Sequence, residues 1–180
     1  MSTRHIIQVQ IGNEIKVSEY VHSDGYPTYT GNKLIEFISK MVNGSDIKEE
    51  AIRDQLRSSL KNSTLTEGNF DNYSGSVHDL LEKLTEKRGV NFEDHTSFAG
   101  NSLFCEWGYR LVFDSGYRFL GMEVYNGFNK TKPSPFWMHE EEGSEYKGIS
   151  LEWVITRSDF ENNKMIQFQD TKTGYKLVKK

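Results

Sequence analysis

The sequence predicts an α+β fold: a mainly antiparallel sheet built from two hairpins plus a later strand, with about three helices packed on one face. Two observations carry that prediction. Paired β-branched or aromatic segments flank short turn sequences near the N-terminus and again around residues 103–128, and the stretch between them repeats its apolar residues at helical spacing. The chain has 180 residues, enough for one well-packed core and short for two, so residues 1–180 read as a single domain.

RHIIQVQI at 4–11 and IKVSEYVH at 15–22 alternate around Gly12-Asn13, which marks a hairpin. A three-residue loop, Gly12-Asn13-Glu14, places Ile11 opposite Ile15 and Val9 opposite Val17. The same register sets Ile6 opposite Tyr20 and Arg4 opposite His22 on the other face. Leu34, Ile35, Ile38, Met41 and Val42 then define a helix over about 32–43 that Gly44 ends. Asp46 with Glu49 opens a second helix as a capping box, running to about Lys61 on Ile47, Ala51, Ile52, Leu56 and Leu60. After a polar loop at 62–75, Ser76 and Asp79 cap a third helix lined by Val77, Leu80, Leu81 and Leu84 and closed by Gly89. Residues 90–102 read as loop. LFCEWGYRLVF (103–113) and YRFLGMEVYNGF (117–128) form the second hairpin around Asp114-Ser115-Gly116, and ISLEWVIT (149–156) is the later strand. The tail fits either a short helix or a hairpin through Asn162-Asn163 with a last turn at Gly174.

A net charge of −4 argues against a long nucleic acid as partner, because tracking phosphates needs an excess of Lys and Arg. Cys105 stands alone and follows Leu103-Phe104, which suits a buried thiol in a reducing compartment. With no leader and no run of about 18 apolar residues, the expected setting is the cytoplasm, without a membrane partner.

The hairpin register gathers Thr3, Arg4, His22, Asp24 and Tyr26 at one edge of the sheet. A guanidinium fork with hydroxyls and a stacking ring suits a nucleotide-like anion. The bland alternative is an Arg4–Asp24 ion pair that closes the hairpin end, with Tyr26-Pro27 plugging the core. Phe136 and Trp137, in the irregular Pro133-Ser134-Pro135 loop, are candidates for a lid over a base or a subunit contact. His22 is the candidate acid or base should the protein be a hydrolase, whereas His5 points to the opposite face as a core or subunit-contact residue. His139 with Glu140, Glu141 and Glu142 lacks the spacing of metal ligands, so no metal and no cofactor is expected. His78 and His95 read as polar surface.

S-T-R-H at the start, Y-x-x-x-D-G-Y-P at 20–27, Gly31 and L-I-E-F, with F-C-E-W-G-Y and E-V-Y-N-G-F later, resemble a family of uncharacterised small proteins carried largely by bacteriophages. The resemblance spans about a third of the chain and carries no established activity. It implies a role in host manipulation: a homo-oligomeric protein that sequesters a small nucleotide-derived immune signal, such as a cyclic nucleotide or an ADP-ribose derivative. Two alternatives stand beside it, a phosphodiesterase that cleaves such a signal and an inhibitor that binds protein and no small ligand. An N-terminal nucleophile hydrolase using Ser2 is a further possibility, against which the related motif admits Gly at that position.

Overall fold

In the computed structural model, which describes residues 3–43, 46–68, 75–86 and 90–180, β1 (His5–Ile11) and β2 (Glu14–Val21) form the first hairpin. Val9 faces Val17 and Ile6 faces Tyr20, but Gln10 faces Ile15 and Ile11 faces Glu14. The turn therefore contains two residues, with Gly12 at a φ of 58° that favours glycine. A bulge at Lys16 absorbs the odd residue, so the apolar register survives without the expected three-residue loop.

The helices follow as α1 (Asn32–Val42), α2 (Asp46–Lys61) and α3 (Val77–Thr85). Ser76 caps α3 by accepting the Asp79 N–H at 3.2 Å. The helix ends expected at Gly44 and Gly89 lie outside the described residues, as do Ser2 and the side chains of the expected Asp46–Glu49 capping box. Two three-residue strands, β3 (Leu65–Glu67) and β4 (Phe92–Asp94), occupy stretches expected to be loop.

The second hairpin, β5 (Trp107–Phe113) and β6 (Phe119–Asn126), is shorter than expected. At its start the Phe104 and Cys105 N–H groups both donate to the Asn101 carbonyl, at 3.1 and 3.0 Å, so 103–106 turns instead of extending. At the reversal Tyr117 takes a φ of 66°. The later strand is β7 (Ser150–Thr156), and the tail is both of its expected alternatives: α4 (Arg157–Asn162), then a hairpin of β8 (Ile166–Thr171) and β9 (Gly174–Lys179). The hairpin reverses at residues 172–173 and not at Asn162-Asn163, because Thr156 and Asp159 cap a helix through 157–162.

Seven strands make one sheet in the order β3-β4-β2-β1-β5-β6-β7, and β8-β9 form a second. The large sheet is mixed. β1 runs parallel to β5, and β4 lies parallel to both β2 and β3. Four α-helices stand among the described residues, one more than expected.

The two faces of this sheet differ. Ile7, Val9, Val17, Val21, Tyr109, Leu111, Met122 and Val124 project into a large core shared with Leu34, Ile38, Leu60, Leu80, Phe160 and Phe168 from the helices and the small sheet. The opposite face carries a small core of Ile6, Ala99, Cys105, Tyr125, Phe136 and Ile149, covered by loops. No helix among the described residues is long and apolar enough to cross a membrane.

Candidate functional site

The β1–β2 register delivers the expected cluster to one end of the sheet, but its members do different work there. Thr3 is buried, and its carbonyl accepts the Gly25 N–H at 3.2 Å. Gly25 leaves no room for a side chain, since a Cβ would lie 2.6 Å from His5 Nδ1. Asp24 holds a φ of 53°, and its carbonyl accepts the Thr30 hydroxyl at 2.7 Å. Tyr26 is half-buried and its carbonyl accepts the Tyr29 N–H at 3.0 Å. The stretch from Asp24 to Pro27 is thus a folded plug over His5.

His5 lies fully inside, with its Nε2 3.4 Å from Thr30 Oγ1 and its ring edge-on to Tyr109. The Thr30 proton goes to the Asp24 carbonyl, so Nε2 carries the imidazole proton toward the Thr30 oxygen. Nδ1 then has no hydrogen-bond partner among the described residues. Burial pushes the imidazole pKa down to about 3, and the Thr3 backbone only partly opposes that. Burial likewise pushes the Cys105 thiol up, which removes it as a nucleophile at neutral pH.

Arg4 behaves differently. Its guanidinium lies over the Phe104 ring, 5.1 Å from the centroid, while the Glu106 carboxylate accepts the Arg4 backbone N–H at 3.3 Å. The guanidinium forms no ion pair with Asp24 or any other described carboxylate, so the expected inert closure is not made. Phe104 is 45% exposed and Phe128 58% exposed. Phe128 sits at a φ of 51° and is tied to the same segment by its N–H on the Ser102 carbonyl at 2.8 Å. A large exposed ring at positive φ is backbone strain of the kind found at binding sites. His22 is exposed, with its Nδ1 2.7 Å from the Tyr20 hydroxyl.

Phe136 and Trp137 separate. Phe136 is 3% exposed, packed edge-on against Tyr125 with the Arg110 guanidinium 5.3 Å from its ring, so it belongs to the small core and cannot act as a lid. Ser134 pins this turn by donating to the Ile149 carbonyl at 2.7 Å and accepting the Phe136 N–H at 3.1 Å. Trp137 is left 67% exposed.

The sequence reading missed a polar relay on the loop-covered face. Arg110 Nε donates to Gln8 Oε1 at 3.0 Å, and Gln8 Nε2 donates to Ser18 Oγ at 3.0 Å and Thr96 Oγ1 at 3.3 Å. Arg110 also reaches Glu123 at 3.4 Å, and the Tyr125 hydroxyl donates to the same carboxylate. The relay ends at a cavity of about 430 Å³ lined by Thr66, Glu67, Asp94, Thr96, Ser97 and His139, with Leu65 and Gly68. Its only sequence signal was a polar Gln8, Ser18 and Arg110 set at core-like strand positions. His95, read as surface, is buried, with its Nδ1 accepting the Tyr20 N–H at 3.2 Å.

No family model, no curated protein and no solved structure matches this chain.

Proposed function

We propose that the chain is a binding protein that captures a small anionic, nucleotide-like molecule at the Arg4 end of the sheet. In a phage-borne setting it would act by sequestering a nucleotide-derived signal, as a homo-oligomer. The observation that carries this reading is the Arg4 guanidinium, oriented by stacking on Phe104 and left with its hydrogen-bonding fork unoccupied by any described carboxylate. A stacked, half-buried Arg is poised for bidentate contact with phosphate. The exposed Phe104 and Phe128 rings offer faces to a base. The buried, protonated Cys105 thiol and the buried, neutral His5 suit a binding role better than covalent chemistry.

The test is incubation with cyclic nucleotides and ADP-ribose derivatives, heat release, and chromatography of the released material. Intact ligand is the expected result. Altered ligand would favour the hydrolase reading, for which the Tyr20-steered His22 is the acid or base. Arg4→Ala should abolish capture while changing stability by less than about 1 kcal/mol, since the residue makes no ion pair among the described residues. Retained capture in that variant would remove the reading. Light scattering after size exclusion checks the oligomer.

A further inference from the structure

We infer that the cavity at the ends of β3 and β4 is a second binding site, for a sugar that presents a vicinal diol. The two strands are parallel, pair Glu67 with Asp94 at their last register position, and stop there. Glu67, Gly68 and Asp94, at those ends, line the cavity. Two turns, Thr96–Gly100 and Trp137–His139, border the cavity and approach closely at Gly100. A Cβ on Gly100 would overlap the His139 backbone, and one on Gly68 the Asp94 backbone.

The relay fixes the direction of one proton in this cavity. Arg110 can only donate, so the Gln8 amide must turn its oxygen to Arg110 and its NH2 to the hydroxyls. Ser18 and Thr96 stand 2.7 Å apart and either oxygen could donate. Ser18 is fully buried, and Thr96 is its only described acceptor. Were Thr96 to donate instead, the Ser18 proton would be buried without a partner, at a cost of about 1–3 kcal/mol. Ser18 therefore donates to Thr96. The Thr96 oxygen, which also accepts from Gln8, has both lone pairs engaged, so its own proton is left for a further acceptor, and Thr96 is part of the cavity wall.

The wall thus combines the Thr96 donor with the acidic residues Glu67 and Asp94, and with Ser97, His139 and Thr66, whose hydroxyl donates to the Phe92 carbonyl at 3.4 Å. Asp94 Oδ1 accepts the Thr96 N–H at 2.9 Å, which orients its other oxygen. The carboxylates of Glu67 and Asp94 repel a phosphate. No group of three His, Cys, Asp or Glu among the described residues is placed to hold a metal ion. Adjacent hydroxyls meet the pattern, since each accepts one hydrogen bond and donates another, and a diol can donate to both carboxylates while accepting from Thr96.

The test is saturation-transfer NMR and calorimetry on the full chain with D-ribose, 2-deoxy-D-ribose, D-glucose and myo-inositol. At least one diol is expected to bind, with ribose at least about tenfold tighter than 2-deoxyribose because a charge-assisted hydrogen bond is lost. Glu67→Gln and Thr96→Val should each weaken binding by a similar factor. Thr96→Ser should keep it, which separates a lost donor from a damaged fold. Arg4→Ala should leave it unchanged, so that this site and the Arg4 site fail or stand separately. Failure of every compound at tens of millimolar, equal binding of 2-deoxyribose, or indifference to Glu67→Gln and Thr96→Val would each overturn the inference.

Discussion

The two faces of the seven-stranded sheet use the same strands for opposite purposes. Beneath the helices, β1 contributes Ile7 and Val9 to a continuous apolar core, while one residue along, Ile6 and Gln8 face a thin loop layer threaded by hydrogen bonds. The difference teaches that stability and recognition are divided by the pleat. One face is held by area removed from water, which tolerates approximate shapes. The other is held by directed donors, which fail when a single partner is missing.

Substitutions should separate the faces by size and by kind. Leu111→Ala, in the helix-covered core, should lower unfolding free energy in urea by about 2–5 kcal/mol, with the loop face still binding ligand wherever the fold persists. Gln8→Leu keeps volume but strands Arg110 Nε and the Ser18 oxygen; the expected loss is about 1–3 kcal/mol, and a neutral or stabilising result would show the relay to be dispensable. His5 sharpens the contrast from the apolar side. Its folded pKa of about 3 lies below the unfolded value of 6.5, so the unfolded state binds more protons between the two. Its contribution is full above about pH 6.5 and is lost on acidification, at up to about 1.4 kcal/mol per pH unit, toward pH 3. Chemical denaturation from pH 7 to 4 should show this slope in the natural chain and a shallower one in His5→Leu; identical slopes would refute it. The smallest effect belongs to Trp137→Ser, within about 0.5 kcal/mol, because its ring is exposed and Phe136 and Ser134 hold the turn.

That division also explains what could be read in advance. Alternation located β1, β2, β5, β6 and β7, because a half-apolar strand writes its burial into a period of two. It could not locate the Lys16 bulge, since a two-residue turn followed by a bulge and a three-residue turn without one both pair Val9 with Val17. The three-residue β3 and β4 are too short for a period, and nothing local announces the parallel pairing of β1 with β5. At the Arg4 end, register alone brought Thr3, Arg4, His22, Asp24 and Tyr26 together. The burial of Phe136 depends on Arg110 of β5 and Tyr125 of β6 meeting it from the sheet. The Gln8–Ser18–Thr96 connection joins residues whose types are ordinary on any surface.

The parallel pairing of β1 with β5 has a consequence during synthesis. Ile11 pairs with Phe113, and His5 with Trp107, so the N-terminal hairpin leaves the ribosome long before its central partner exists. At about 5–20 residues per second, β1 waits roughly 5–20 s with an unpaired apolar edge. An open edge of that kind is a template for other nascent chains. Yield in the cell should therefore depend on holding chaperones and on translation speed between residues 12 and 107 more than on the stability of the finished molecule.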